Sequence, residues 1–262
     1  MSDIIVERDG GIVTVTLNRP AKKNAVTHAM FRQLRDLFLE VGDDPEARVL
    51  VVTGAGDAFS SGADLTDADT GGHMMSGRGT TLSWMRMVGQ AALMLHELPK
   101  PTIAAVNGVA AGASLNLALG CDLIVASEDA RFTEIFVNRG LVLDFGGHWL
   151  LPRLIGLHRA KELAFFGEIL SAKEAAEMGL VNKLVPAGEL EATVRDWAER
   201  LAKLPPINLT IMKKALNAAF ETSMSASLEF EAVAQNVSFS SQDTVEAMSA
   251  FVQKREPEFR GQ

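Results

Sequence analysis

The spacing of hydrophobic residues changes along the chain, and each spacing predicts a different element. Residues 4–20 hold two short apolar runs around the Asp-Gly-Gly turn at 9–11, which predicts two strands ended by Pro20. In residues 28–44 the apolar side chains recur at helical spacing, which predicts a helix that ends near Gly42. That helical stripe consists of Met30, Phe31, Leu34, Leu37, Phe38 and Val41.

Apolar runs typical of buried strands alternate with helical runs over the middle of the chain. Strands are predicted at 47–56, 102–108 and 122–128, and helices at 81–100 and 113–121. This order is typical of right-handed crossovers between parallel strands, so we expect an α/β fold with layered parallel sheets. Residues 66–80 are polar and glycine-rich, which predicts a mobile loop. From about residue 157 to the C-terminus the pattern is helical.

Composition favours a soluble globular protein. Of the 262 residues, 47% are hydrophobic and 22% are charged. No apolar run approaches the roughly 20 residues of a membrane helix, and the acidic start lacks the apolar core of a signal peptide. We therefore expect no membrane association and a cytoplasmic location. The single cysteine, Cys121, excludes an internal disulfide, and its apolar surroundings predict a core thiol.

Charge and histidine spacing exclude two further classes. A net charge of -8 argues against nucleic-acid binding as the main task, although a few local lysines could still hold a small anionic ligand. The five histidines show no spacing typical of metal ligands, so we expect no metal site.

Two strand-to-helix turns carry the candidate chemistry. They are residues 58–65, with Gly62 and Ala63, and residues 105–122, with Gly112 and Ala113. Small residues let a ligand approach the backbone, and the following helix offers free N–H groups. Neither turn matches a Walker loop or a dinucleotide fingerprint, and a packing role for the glycines stays open.

In this order and spacing the two turns resemble those of the crotonase superfamily, the enoyl-CoA hydratase/isomerase family. The resemblance extends from about residue 5 to the end and rests on residues 17–26, 59–65, 105–122, 140–156, 171–186 and 248–259. It implies a crotonase-type ββα spiral of stacked sheets over 1–200, which holds the CoA and acyl site. It also implies a helical oligomerisation region over 201–262 and a homotrimer, or a hexamer built as a dimer of trimers.

The resemblance implies an acyl-CoA thioester substrate, with no cofactor beyond the coenzyme A that the substrate carries. The backbone N–H groups of Ala63 and Ala113 would stabilise negative charge on the thioester oxygen. Lys22, Lys23 and Ala25 match the segment at the nucleotide end, and Phe251 and Lys254 match positions that close over the nucleotide, often from a neighbouring subunit. The other residues implied to line the substrate site are Ser61, Gly62, Asp64, Leu65, Gly112, Asn116 and Phe136. Asp64 would brace its turn, and a surface role is the alternative.

The chain departs from the family at the two glutamates with which hydratases hold and activate water. The matching positions are Asn116 and Phe136. Asparagine can hold a water but cannot take its proton, and phenylalanine can do neither. Glu134 lies two residues away, which on a strand displaces the side chain by more than about 6 Å. Hydration by the two-glutamate route is therefore disfavoured.

Asp144 lies among apolar residues eight positions after Phe136, where some family isomerases carry an aspartate. Its run is most similar to that of ring-epoxide isomerases of phenylacetyl-CoA breakdown, with Leu143 in place of their usual proline. An apolar setting raises a carboxyl pKa, which suits a base that acts on a carbon acid. The alternative is a solvent-exposed loop aspartate without a catalytic role.

We predict an acyl-CoA isomerase with Asp144 as its single acid/base. One rival is a hydratase that uses Asp144 and a water held by Asn116, and another is a non-catalytic acyl-CoA-binding paralogue. The acyl pocket is expected between residues 66–95 and the side chains Phe136, Val142, Phe145 and Trp149.

Overall fold

Ten strands form two sheets in the described part of the chain. The computed structural model describes residues 2–67 and 78–262, with only the backbone for 78–80. The strands are β1 (Ile4–Asp9), β2 (Ile12–Leu17), β3 (Val49–Gly54), β4 (Ala58–Ser60), β5 (Thr102–Val106), β6 (Val109–Ala111), β7 (Leu123–Ser127), β8 (Arg131–Thr133), β9 (Ile169–Ser171) and β10 (Lys183–Val185). The larger sheet has the order β1-β2-β3-β5-β7-β10, and the smaller sheet has the order β4-β6-β8-β9.

Helices surround the sheets and make up the C-terminal part of the chain. They are α1 (His28–Asp43), α2 (Arg78–His96), α3 (Ala113–Leu119), α4 (Gly147–Ile155), α5 (Leu157–Phe166), α6 (Ala172–Met178), α7 (Leu190–Ala202), α8 (Pro206–Asn217), α9 (Met224–Ser240) and α10 (Gln242–Gln253). Short 3-10 helices cover Pro20–Lys22, Ile135–Arg139 and Ala187–Glu189.

The predicted hairpin and first helix are confirmed. β1 and β2 pair antiparallel around the turn at 9–11, and β2, β3, β5 and β7 then run parallel. The Thr27 hydroxyl accepts a hydrogen bond from the Met30 N–H at 3.2 Å and caps the start of α1. All six residues of the predicted stripe on α1 are buried in the main core. A second apolar cluster, on the other face of the large sheet, is covered by Leu190, Val194 and Ala198 of α7.

The strands predicted at 47–56, 102–108 and 122–128 are confirmed as β3, β5 and β7, and the helices predicted at 81–100 and 113–121 as α2 and α3. Of the loop predicted at 66–80, residues 68–77 lie outside the described residues, and 78–80 belong to α2. The continuous helical pattern predicted after residue 157 is wrong at β9 and β10. Three-residue strands are too short to show a period of two, which is why these two, and β4, β6 and β8, left no signal.

Cys121 is a buried core thiol, and burial raises its pKa to about 12. None of the described helices has the length and apolarity needed to cross a membrane. Within the same residues no group of three or more potential metal ligands is found. The division of the chain at residue 200 into a core and an oligomerisation region stays a prediction.

Candidate active site

Three neighbouring strands of the small sheet end at one place. β4, β6 and β8 are parallel neighbours, so their carboxyl ends lie at one edge of the sheet. The turn after β4 holds Ala63, the turn after β6 holds Ala113, and Glu134 directly follows β8. The turn after β6 is bonded to the end of β8, since the Gly112 N–H donates to the Thr133 carbonyl at 2.9 Å. The edge therefore gathers residues that are far apart in the sequence.

Both turns expose a backbone N–H that has no acceptor. Gly62 has φ +98° and Gly112 has φ +54°, conformations that residues with a side chain rarely adopt. Among the described residues the N–H groups of Ala63 and Ala113 have no recorded hydrogen-bond acceptor. Ala113 is the first residue of α3, and a first helical N–H has no partner within its own helix. Two free donors on adjacent turns are what an oxyanion hole requires.

Two buried serines tie these turns together. The Ser60 hydroxyl donates to the Asn24 carbonyl at 2.7 Å, and its oxygen lies 2.6 Å from the Ser114 hydroxyl oxygen. Because a hydroxyl has one proton, Ser114 is the donor in that second bond. The Gly62 N–H also donates to the Ser60 oxygen at 3.2 Å. The hydroxyl pair thus joins the turn of Ala63 to the start of α3.

Asp64 lies inside the first turn and not on the surface. It is 7% exposed, and its carboxylate accepts hydrogen bonds from the Thr66 hydroxyl at 2.7 Å and from Arg19 at 2.8 Å. The Thr66 bond and then the Arg19 guanidinium hold its pKa below the ordinary value against the opposing effect of burial. The carboxylate is therefore ionised and fixed, which suits bracing and not proton transfer.

Asp144 lies half-buried in the loop before α4. Its Oδ1 is buried and has no hydrogen-bond partner among the described residues. Burial raises its pKa to about 7, as its apolar neighbours predict. The residues that follow have positive φ, +47° at Phe145 and +83° at Gly146. A non-glycine residue in that region is uncommon and indicates a backbone held in place by its surroundings.

Asn116 connects Asp144 to Glu134, a residue that was given no role from the sequence. The fully buried Asn116 amide donates to the Asp144 backbone carbonyl at 3.0 Å and to the Glu134 carboxylate at 3.4 Å. Gly147 packs against the same amide so closely that a Cβ there would lie 2.4 Å from Asn116 Nδ2. We call Asn116, Glu134 and Asp144 the acid cluster.

The premise behind the expected displacement of Glu134 is wrong. That expectation assumed a strand through residue 136, whereas Ile135–Arg139 is a 3-10 helix. Glu134 is 1% exposed, its Oε1 has no partner among the described residues, and its pKa is raised to about 8 by burial and then by repulsion from Asp144. The rise at Asp144 has burial alone as its cause, because Asp144 loses its proton while Glu134 is still neutral.

Phe136 takes part in the site as a packing residue. It is 6% exposed, and its ring carbons lie 3.6–3.7 Å from where a Cβ on Gly112 would be. The predicted pocket residues Phe145 and Trp149 line a groove of about 890 Å³ between α2, α4 and α8. Val142, also predicted to line the pocket, is 74% exposed and does not line this groove. Phe145 and Gly146, the two residues after Asp144, line the groove, whereas the three residues of the acid cluster do not.

The residues implied to bind the nucleotide are spread over the surface. Lys22 is exposed, Ala25 is buried, and Lys23 pairs with Asp57 at 2.5 Å. Ser61 and Leu65 are exposed beside the first turn. No hydrogen bond or ion pair of the described residues links this segment to α10, where Phe251 is 82% exposed and Lys254 ends the helix. The two predicted halves of the nucleotide site are therefore not joined by any such bond within the described part of one chain.

Two free N–H donors and a largely buried acid cluster lie at one edge of the small sheet. This arrangement is typical of an enzyme that acts on an activated carbonyl compound. Residues 7–262 match the sequence profile of the family described as Enoyl-CoA hydratase/isomerase. The chain belongs to this family, the enoyl-CoA hydratases and isomerases of the crotonase superfamily, and shares its fold and its acyl-CoA chemistry. The resemblance inferred from the sequence is thereby confirmed.

Similar proteins include both isomerases and hydratases. The chain is 39% identical over 264 residues to 1,2-epoxyphenylacetyl-CoA isomerase of Escherichia coli K12. The alignment covers 100% of this chain and 99% of that protein. It is 34% identical over 259 residues to short-chain-enoyl-CoA hydratase of Clostridium acetobutylicum. That alignment covers 98% of this chain and 97% of the hydratase. The crystal structure of enoyl-CoA hydratase from Bacillus anthracis superposes with a TM-score of 0.93 at 32% identity over the full length of both chains.

Proposed function

We propose that the protein isomerises an enoyl-type or aromatic-derived acyl-CoA through an enolate, with Asp144 as the acid–base group. The observation that carries the proposal is the Asp144 carboxyl, which has a buried oxygen without a partner among the described residues. Its pKa of about 7 makes it a stronger base than an ordinary aspartate, while part of it is still ionised at neutral pH.

The reaction consists of removing and returning one proton. Asp144 takes a proton from the carbon next to the thioester, and the electrons of that C–H bond move onto the thioester oxygen. The N–H groups of Ala63 and Ala113 stabilise this oxygen, and each such donor contributes roughly 3 kcal/mol in comparable sites. Return of a proton two carbons away completes the shift of the double bond. One carboxyl group is chemically sufficient for both steps.

Hydration is the second candidate, and one observation favours it. The buried Asn116 Oδ1 has no partner among the described residues, so it can accept a hydrogen bond from a water. Asp144 would then activate that water for addition to a 2-enoyl-CoA. Mass spectrometry separates the candidates, because an isomer keeps the substrate mass and a 3-hydroxyacyl-CoA is heavier by one water. A non-catalytic binding protein would give neither product.

The decisive variant is Asp144→Asn, which keeps the shape of the side chain and removes its base. We expect kcat for isomerisation of a 3-enoyl-CoA to fall by about 10²- to 10⁴-fold, with little change in affinity. The matched control is Asp129→Asn at an exposed aspartate, which should leave kcat unchanged. Full activity of Asp144→Asn would overturn the proposed mechanism.

We further propose that the acyl-CoA lies between the two turns and the lysines. Gly62 and Gly112 leave room for the thioester, Ser61 and Leu65 border the acyl chain, and Asp64 holds the first turn in place. Lys22, Lys23 and Ala25 would contact the nucleotide from one chain, and Phe251 and Lys254 from a neighbouring chain.

This division of the nucleotide site requires an oligomer, and the C-terminal helices supply a surface for one. Large apolar side chains of residues 201–262 are open to solvent in a single chain. Those at least 68% exposed are Leu216, Phe220, Met224, Phe239, Val245, Phe251 and Val252. Apolar surface of this kind marks protein contacts. We propose a homotrimer, or a hexamer of two trimers, which sedimentation velocity would distinguish from a monomer by mass.

A further inference from the structure

The proposed mechanism uses one carboxyl group, whereas the acid cluster contains two. Glu134 is more deeply buried than Asp144 and plays no part in any salt bridge of the described residues. A buried carboxyl group costs free energy, and that cost persists in a native structure where the group has a task.

Geometry ties Glu134 to the reaction site. It follows β8 directly, as the turns with Ala63 and Ala113 follow β4 and β6, so all three belong to one edge of the small sheet. Its Oε2 accepts from the same Asn116 amide that holds the Asp144 carbonyl, and its Oε1 has no partner among the described residues. Asn116 thus fixes the two carboxyl-bearing segments relative to each other.

Two carboxyl groups in one largely buried cluster repel each other when both are ionised, unless a compensating charge lies nearby. The only charged group that contributes to the electrostatics of Glu134 among the described residues is Asp144 itself. Of the two, Glu134 has the higher pKa, about 8 against about 7, because its burial is deeper and Asp144 repels its charge. A base and a protonated acid therefore stand side by side before substrate binds.

We propose that Glu134 is the second catalytic group of this enzyme, so that Asp144 removes the proton from one carbon while Glu134 delivers a different proton to the other. This inference rests on the proposed isomerisation and adds to it the identity of the proton donor. Asn116 is the positioning residue between the two groups.

The step balances without any further reactant. The substrate C–H bond breaks and Asp144 becomes a carboxylic acid, while the enolate forms against Ala63 and Ala113. The Glu134 O–H bond then breaks, a new C–H bond forms two carbons away, and Glu134 becomes a carboxylate. One proton passes from Asp144 to Glu134, directly or through a water, and the starting state returns.

A single turnover in deuterium oxide separates two groups from one. Excess enzyme equilibrated in D₂O is mixed with protium-labelled 3-hexenoyl-CoA, and the isotope on the receiving carbon is measured by mass spectrometry. A proton from Glu134 derives from the solvent, so the wild type should place deuterium there. In Glu134→Gln only Asp144 remains, so the product should mainly carry the returned protium, and kcat should fall at least about tenfold while KM changes little.

The outcomes are distinct. Protium return by the wild type, or a Glu134→Gln variant that matches the wild type in rate and isotope, would overturn the role of Glu134 and leave that of Asp144 intact. Absence of any isomerised product from the wild type would instead overturn the proposed function. Because the wild-type isotope measurement needs no variant, the proposal can be tested even if Glu134→Gln folds poorly.

Discussion

The acid cluster and the C-terminal helices depart from ordinary burial in opposite ways: the first buries carboxyl groups, and the second exposes apolar side chains to solvent. Glu134 is a carboxyl group kept 1% exposed, whereas Phe251 is an aromatic residue left 82% exposed. The first costs free energy because charge is withdrawn from water, and the second because apolar surface stays in water. Both features oppose the stability of the isolated chain, which is consistent with the catalytic and assembly roles proposed for them.

The difference lies in what completes each region. The acid cluster and the free N–H groups of Ala63 and Ala113 are all supplied by one chain and held by its own hydrogen bonds. The C-terminal helices bind their own tail, through Asp243 and Arg260 for example, but leave their apolar side chains uncovered. The chemical step should therefore depend on single residues within a chain, and nucleotide binding should depend on assembly.

The largest effect is expected where the chain completes its own site. Ala113→Pro removes one backbone donor, and proline is well tolerated at the first position of a helix, where Ala113 lies. Turnover should fall by about 10²- to 10³-fold or more, the cost of losing one oxyanion donor. Steady-state kinetics would measure the loss, with circular dichroism to verify the fold.

Leu157→Pro is the matched control for this substitution. Leu157 is also the first residue of a helix, also follows a glycine of positive φ, and is 58% exposed. It should retain wild-type turnover. Equal losses in the two variants would mean that proline acts through the fold and not through a lost donor.

The burial of carboxyl groups should also appear as a pH dependence of stability. The folded-state pKa of Glu134 is raised to about 8 and that of Asp144 to about 7, above their values in an unfolded chain. Between pH 4.5 and 8 the folded state thus binds more protons than the unfolded state, and stability falls as the pH rises. Glu134→Gln removes one of these groups. It should match the wild type in stability near pH 4 and be more stable at pH 9 by roughly 5 kcal/mol, since each unit of pKa shift is worth about 1.4 kcal/mol.

Urea unfolding at pH 4, 7 and 9 would measure this difference. Glu256→Gln, at an exposed glutamate, controls for the change in charge and should follow the wild-type curve. A Glu134→Gln variant with the wild-type pH dependence would show that Glu134 is ionised without cost, and the contrast between the two regions would then be lost.

The sequence predicted the long elements and the two turns because their signals are local. The six-residue stripe of α1 and the hairpin at 9–11 carry their periods in the chain itself, and the glycines at 62 and 112 mark their turns. The raised pKa of Asp144 also followed from its apolar neighbours. These are features that a window of a dozen residues contains.

What the sequence could not give depends on distant residues. From the sequence, Glu134 was given no role, because two residues along a strand would displace its side chain from the site. The chain forms no strand there, since Ile135 starts a 3-10 helix. Its partners, Asn116 and Asp144, lie on α3 and in the loop before α4, and only the small sheet brings them together. No local signal marked Glu134, because β8 is three residues long and Phe132 is its one apolar residue. Under the proposed assembly, the contacts of the C-terminal helices would lie in other chains, and such contacts leave no local pattern in one sequence.

The smallest effect is expected at the exposed end of α10, and it sharpens the comparison most directly. Lys254 closes that helix in the left-handed conformation, with its side chain in solvent. If it contacts a CoA phosphate from a neighbouring chain, Lys254→Ala should raise KM for the CoA ester about tenfold, or roughly 1.4 kcal/mol, and leave kcat unchanged, because a phosphate contact is equally strong in the ground and transition states. The increase should shrink as salt is added, since exposed charges are screened. Lys203→Ala, at an exposed lysine that ends α7, removes the same charge and should leave KM unchanged. An equal KM in all three proteins would make Lys254 a plain surface charge and would confine CoA binding to residues of a single chain.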